Sequence, residues 1–337
     1  MTYCRQDKPF SFEQGAPGSN IMPKISVVIP LYNKEPHILR ALNSVLAQTK
    51  PPEEIIVIDD GSTDGGAEVV ASLKDSRIRL LRQENRGEGV ARNRGIESAQ
   101  GELIAFLDAD DAWQPGFLEA ILDLQEKFPQ AGIYATAYHV VDRGGLPKQR
   151  EYNVLPSDRP TGLIANYFLA GFCYPVQMSA CAVPRNIAQE VGGFSRNSGL
   201  GLDVDFFLKI ALRYPIAWTK EPLATYYLNA VNRRAGFIRW HEEPAISQTA
   251  REAITAGLVP PDQIGDFKEY IALFQITAIR DCLVLGKKAE ALKLLEYSRG
   301  TRKFRKEWLK WKFIATLPGN LGPWLWQLKQ VPKLFRR

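Results

Sequence analysis

Apolar residues recur with two different periods along the first two thirds of this chain, and the two periods take turns. From Ile25 the run ISVVIPL has the length and composition of a strand covered on both faces. Ile38, Leu39, Leu42, Val45 and Leu46 then fall at helical spacing, and EIIVID follows as a second strand. The alternation continues with a helix over Ala67 to Leu73, a strand in RIRLLR, a helix in GVARNRGIESAQ and a strand from Leu103 to Leu107. After Pro115 a helix carries Phe117, Ile121, Leu122, Leu124 and Phe128, and GIYATAY reads as a strand. The alternation in VQMSACAV predicts a further, half-buried strand over 176–183. DVDFFLKIALRY is a helix whose first-turn acids complement the helix dipole, and LATYYL is the last strand. Strands and helices alternating at these lengths predict an α/β fold of right-handed βαβ units: a doubly wound, mostly parallel sheet with flanking helices.

The pattern changes at both ends. Residues 1–22, with QGAPGSN, show no periodicity and read as a disordered leader. Near residue 240 strands give way to helices, including FKEYIALFQITAIRDCLVLG and KKAEALKLLEYS, so the chain divides into a domain over 23–240 and a helical C-terminal region over 241–337. Charge follows the same division. The whole chain carries +6, but residues 299–337 hold eleven Lys and Arg against the single acid Glu307, which leaves residues 1–298 at −4. A globally basic nucleic-acid binder is thereby excluded, and the positive charge belongs to the tail. The four cysteines have no CxxC spacing, which predicts neither a zinc site nor a disulfide framework and suits a reducing compartment. No signal-peptide pattern and no membrane-spanning apolar window is visible.

Candidate chemistry lies at strand ends, where open parallel sheets bind ligands. PLYN follows the first strand, DDGSTD the second and DADD the fourth. Asp108, Asp110 and Asp111 crowd like charges at one strand end, which costs free energy unless a cation sits there. Helix capping accounts for one of these acids but not for three, and DDGSTD also fits a turn followed by a cap. Neither GxGxxG after the first strand nor GxxxxGK[ST] occurs, so a dehydrogenase and a P-loop NTPase are excluded.

In order along the chain, SVVIPLYNKE, IIVIDDGSTD, NRGEGVARNRGI, GELIAFLDADD and VGGFSRNSGLGLDVDFFLKI resemble the motifs of the inverting nucleotide-sugar glycosyltransferases of family 2, over residues 24 to about 228. The resemblance implies the GT-A fold and transfer of a sugar from a nucleoside-diphosphate sugar, a UDP-sugar above all, to a hydroxyl. It implies that Asp110 and Asp111 hold Mn²⁺ or Mg²⁺, which would stabilise charge on the leaving diphosphate. It also implies that Asp108 faces the donor ribose or sugar, that Asp60 accepts from the base imide, and that Pro30, Tyr32 and Glu35 line the base and ribose. Arg92 would meet a phosphate or the sugar, or else form a solvated salt bridge. Asp203 falls on the position of the catalytic base, which takes the proton of the acceptor hydroxyl.

Two positions depart from the family pattern. Leu202 stands where the family has the Glu of a Glu-Asp pair, and Asn229, followed by Asn232, stands where many members have a His near the metal. These departures prompt an alternative from another class, a non-catalytic nucleotide-sugar binding protein. GFIRW at 236–240 resembles the QxxRW of processive synthases with Gly236 for Gln, while His37, His139 and His241 are scattered. In the tail, Trp308, Trp311, Trp324 and Trp326 interleave with cations, the composition of an interfacial helix; packing of the aromatics on the domain is the alternative. Membrane docking implies a glycan or lipid-linked acceptor in bacterial surface polysaccharide or lipopolysaccharide assembly, on the inner face of the cytoplasmic membrane.

Overall fold

The computed structural model describes residues 23–148, 152, 154–156, 158–195, 201–231 and 243–317. The expected leader, Asn232, GFIRW, His241 and residues 318–337 with Trp324 and Trp326 lie outside the described residues.

Strands β1 (Ile25–Leu31), β2 (Glu54–Asp59), β3 (Ile78–Arg82) and β4 (Leu103–Phe106) form a parallel half-sheet in the order β3-β2-β1-β4. Helices α1 (Glu35–Leu46), α2 (Gly66–Ser72) and α3 (Glu88–Ser98) connect them. The period of two along β1 sorts its side chains between two cores. Ile25, Val27, Ile29 and Leu31 pack with α1 residues Ile38, Leu42 and Val45 and with α4 (Phe117–Lys127). Val28 joins Ile56, Ile58, Ile104 and Phe106 on the opposite face, with Ala91 and Ile96 of α3. Because β2 and β4 flank β1 on opposite sides, the chain reverses its direction of travel across the sheet at β1, and the crevice of a doubly wound sheet opens there.

Beyond β4 the sheet is mixed. It continues through β9 (Cys181–Pro184), β6 (Ile133–Val141), β10 (Ile216–Tyr227) and β5 (Ala112–Trp113), and β9 is antiparallel to both β4 and β6. β10 runs parallel to β6, while β7 (Pro147–Lys148) and β8 (Thr161–Leu163) add short antiparallel pairings. The half-buried strand expected over 176–183 is corrected. Met178–Ala180 form a 3₁₀ turn, and the strand that follows is buried from Cys181 to Val183. The reason is Ser179, which leaves the ladder to bond the loop after β4. LATYYL is only the end of β10, whose pairing with β6 shifts register around Pro222, a residue that cannot donate to a ladder.

Short helices α5 (Tyr167–Ala170) and α6 (Arg185–Glu190) and the longer α7 (Leu202–Ala211) complete this part. Four further helices, α8 (Ala245–Thr255), α9 (Ile264–Val284), α10 (Lys288–Tyr297) and α11 (Arg305–Thr316), follow it. They do not make a separate core. Phe267, Tyr270 and Phe274 of α9 belong to the same apolar cluster as Phe106 and Phe206, and the Phe168 and Phe267 rings meet edge to face at 4.9 Å. A polar tie supplements it: the Asp205 carboxylate on α7, expected only to favour the helix dipole, accepts from Thr249 Oγ1 of α8 at 2.6 Å and pairs with Lys209 at 2.9 Å. From the cap Phe304 into α11, the spacing 304, 308, 311, 315 points inward. Trp311 is buried, and half-buried Trp308 donates its Nε1 proton to the Leu295 carbonyl at 2.9 Å. Among the described residues no helix is long and apolar enough to cross a membrane.

Candidate active site

The loop DADD leaves β4 at the crevice, and its three acids have three different surroundings. Asp111 is fully buried; its Oδ2 accepts from Ser179 Oγ at 2.6 Å and its Oδ1 from the Tyr227 N–H at 3.1 Å. Ser179 Oγ also accepts from the Asp108 N–H at 3.0 Å, so one hydroxyl braces both ends of the loop. Asp108, 21% exposed, accepts from Arg92 Nη2 at 2.7 Å. Asp110, 13% exposed, accepts from Lys34 Nζ at 2.8 Å, and its carbonyl accepts from Arg40 Nη2 at 2.5 Å. One oxygen from each acid lies within 4.8 Å of the others. Burial, then the neighbouring Asp108 and Asp110, push the Asp111 carboxyl well above the usual range. Three oxygens this close, in a site that raises the cost of its own charge, are a donor set suited to a hard divalent cation.

Arg92 links this loop to the candidate base. It is buried on α3, with Phe194 5.4 Å from its guanidinium, and its Nη2 pairs with Glu88 as well as Asp108. The solvated alternative for Arg92 is therefore ruled out by its position. Burial opposes its charge, but Glu88, Asp108 and Asp203 outweigh burial and raise its pKa. Asp203, half-buried in the first turn of α7, has its carboxyl pushed up by burial; Arg92 and the Val204 N–H oppose the rise, and Asp108 adds to it. The close approach of α7 to α3 is possible because residue 89 is glycine. A Cβ there would meet Leu202 Cδ1 and the Ser195 carbonyl oxygen at 2.9 Å each. Leu202 itself is 7% exposed in the apolar core beside Phe194 and Phe206. The position where the family has Glu is thus used for packing in this chain.

The other predicted residues divide into two groups. Asp60 is buried and accepts from Gln83 Nε2 at 2.7 Å, the Arg86 N–H at 2.9 Å and the Gly87 N–H at 2.8 Å, bracing the loop between β3 and α3. Asp59, not Asp60, makes the turn, accepting from the Ser62 N–H at 2.9 Å. Glu35 Oε2 accepts from the Gly65 N–H at 2.9 Å while the Glu35 N–H donates to Asp64 at 2.9 Å, which ties the starts of α1 and α2 together. Pro30 is half-buried opposite Ile58, and Tyr32 is exposed at the crevice end of β1. Asn229 is exposed beside the Gly145 turn. Lys34, Arg40, Ser179 and Tyr227 are site residues that sequence reasoning missed; Ser179 was hidden inside the alternating VQMSACAV, and Lys34 inside the motif PLYNKE.

Residues 26–180 match the family model of glycosyl transferase family 2. Over those residues the chain belongs to family 2. The chain is 43% identical over 174 residues to an uncharacterised glycosyltransferase of Nostoc sp. PCC 7120, a match covering 50% of this chain and 53% of the relative. It is 38% identical over 132 residues to TuaG of Bacillus subtilis, a glycosyltransferase named for teichuronic acid biosynthesis, covering 38% of this chain and 52% of TuaG. The chain spans about half the length of these curated relatives. Among solved structures, S. aureus TarS 1-349 in complex with UDP-GlcNAc superposes with a TM-score of 0.59 at 18% identity, covering 86% of this chain and 79% of that one. The family 2 chain therefore has the GT-A fold.

Proposed function

We propose that the protein transfers one sugar, with inversion, from a nucleoside-diphosphate sugar to a hydroxyl of a glycan or lipid-linked acceptor, as a hexosyltransferase. The observation that carries this reading is the chain Asp110, Asp108, Arg92 and Asp203 at one strand-end crevice, with a candidate cation site at one end and a carboxylate of raised pKa at the other. Asp110 and Asp111 would hold Mn²⁺ or Mg²⁺, with Asp108 turned to the donor ribose or sugar. A cation bound there supplies positive charge against the leaving diphosphate. Asp203 takes the proton from the acceptor hydroxyl as that oxygen attacks the anomeric carbon, and the bond from that carbon to the diphosphate oxygen breaks on the opposite face. A raised pKa suits this task, because a base that titrates nearer neutrality takes the proton more readily.

A UDP-sugar is the first donor to test, since the UDP-GlcNAc complex of TarS shares this fold; Asp60, Pro30, Tyr32 and Glu35 would border the base and ribose. The name of TuaG supports bacterial surface polysaccharide assembly. For docking on the inner face of the cytoplasmic membrane, support comes from α11, where Leu309 and Phe313, 50% and 65% exposed, stand among exposed Lys306, Lys310 and Lys312. The inward-facing Trp308 and Trp311 do not serve that surface. The test is UDP release from a panel of UDP-sugars with glycan and lipid-linked acceptors, followed by the anomeric configuration of the product by NMR. An inverted product supports the proposal, and a retained one overturns the role of Asp203. Flotation with anionic vesicles, lost in a Leu309→Ser, Phe313→Ser variant, tests the docking surface.

A further inference from the structure

Lys34 stands at the cation site and has no part in the reading above. Its Nζ donates to Asp110 Oδ2 at 2.8 Å and to the Val231 carbonyl at 2.8 Å. Lysine and aspartate side chains are 14% and 13% exposed, so this is not a solvated surface pair of negligible strength. The Val231 N–H donates to His37 Nε2 at 3.1 Å, so α1 and its cap hold both backbone groups of Val231, and Lys34 is fixed from two sides. Asp110 is equally fixed, because its carbonyl accepts from Arg40, whose guanidinium lies 3.7 Å from the Tyr227 ring centre. The pair is therefore a built feature of the crevice.

Its electrostatics set up a competition. An ammonium at hydrogen-bond distance from a carboxylate oxygen repels a divalent ion that would use the same carboxylate, and partial burial strengthens the repulsion. The neighbouring acids do not offer a way round it. Asp108 already faces Arg92, and both Asp111 oxygens already accept protein hydrogen bonds. Whether a cation loads is decided at Asp110.

We propose that Lys34 is an internal counter-cation that competes with a divalent ion for Asp110, so that the ion binds tightly only together with a diphosphate that offers Lys34 another anion. The inference rests on the reading of Asp110 as a cation ligand. It makes nucleoside diphosphate and cation mutually reinforcing ligands, because each favours the state in which Lys34 has left Asp110, and linkage requires the reinforcement to be reciprocal. An idle enzyme would then hold its carboxylates neutralised by the protein and take up a cation only with its donor.

The experiment is Mn²⁺ binding, read from the paramagnetic signal of free Mn²⁺, with and without UDP, on wild type, Lys34→Met, Lys34→Gln, His37→Ala and Asp110→Asn. Without UDP, Lys34→Met binds Mn²⁺ about tenfold tighter than wild type, within the usual span of coupling between sites, and gains less from UDP than wild type does. Lys34→Gln keeps a donor for Val231 without the charge and matches Lys34→Met. His37→Ala loosens Val231 but keeps the ammonium, and binds as wild type does. Equal or weaker Mn²⁺ binding by both Lys34 variants, with binding lost in Asp110→Asn, overturns the role of Lys34 and leaves the cation site standing. Wild-type binding in Asp110→Asn removes the cation site itself, and this inference with it.

Discussion

The strand β2 begins with one buried acid and ends with another, and the two ends of the sheet treat carboxylates in opposite ways. At the amino end, Glu54 Oε1 accepts from Ser26 Oγ and the Gln100 N–H, each at 2.7 Å, and Oε2 accepts from Arg79. The Gly101 N–H completes the network on Ser26 Oγ at 2.9 Å. Burial alone would raise the Glu54 pKa, but the Gln100 N–H, the Ser26 hydroxyl and Arg79 together hold it below the usual value. At the carboxyl end, Asp111 and Asp203 are pushed up instead; Arg92 is shared among Glu88, Asp108 and Asp203, and Lys34 pairs with Asp110. Where protein donors outweigh burial, as at Glu54, a carboxylate serves the fold. Where burial and neighbouring acids outweigh the donors, as at Asp111, the cluster is set for a cation from outside.

Substitutions at the two ends should separate these roles. The largest effect is expected for Asp203→Asn, which removes the base without removing volume. Turnover should fall about 10³-fold, while thermal stabilisation by the donor nucleotide is retained. If turnover survived, the alternative reading of a nucleotide-sugar binding protein would still fail, but Asp203 would not be the base.

Arg92→Met comes next. It leaves Asp108 and Asp203 without their shared cation, and a loss of about 3 kcal/mol in unfolding free energy is expected from a broken, largely buried pair. Its second readout is the pH profile. Because the Asp203 pKa is raised and the base acts deprotonated, kcat/KM falls as pH drops through a value above the ordinary aspartate range. Without Arg92 that acid limb should move to still higher pH.

Glu54→Gln tests the other end, with an expected loss of about 2 kcal/mol in denaturant melts and unchanged turnover per folded molecule. The sign of its pH dependence follows from a folded-state pKa below the unfolded one. The stabilisation by Glu54 is fully present above the unfolded glutamate pKa and is lost as pH falls through the folded value, so wild type and variant should converge in acid. The smallest effect is Thr249→Val, which removes one hydrogen bond to Asp205 and should cost about 1 kcal/mol in thermal unfolding without altering donor binding.

The division between the ends also explains what the sequence disclosed. Asp60, Asp108, Asp110 and Asp111 follow apolar runs directly, and a charge after a buried strand is legible because strand ends are where parallel sheets bind ligands. Asp203 was legible through its motif. Lys34 was not, since its partner Asp110 lies 76 residues away and nothing local distinguishes it from other polar turn residues. Ser179 escaped because its alternation with apolar neighbours imitates a strand, whereas its hydroxyl is spent on the loop after β4. The burial of Leu202 depends on a glycine on another helix, a contact no local pattern encodes. In the tail, the density of Trp and positive charge reads as a membrane surface, and local composition does not show that Trp308 and Trp311 face inward.

A cation and a nucleotide together would complete the carboxyl end of the sheet. Thermal unfolding of wild type and Asp110→Asn with UDP, GDP, CDP or dTDP, each with and without Mn²⁺, tests this. A nucleotide at about 100 times its Kd adds about 2.7 kcal/mol of stability. A Mn²⁺-dependent rise is expected for one nucleotide, UDP first, in wild type, and its loss in Asp110→Asn. An equal rise in both proteins, or no rise with any nucleotide, would contradict it.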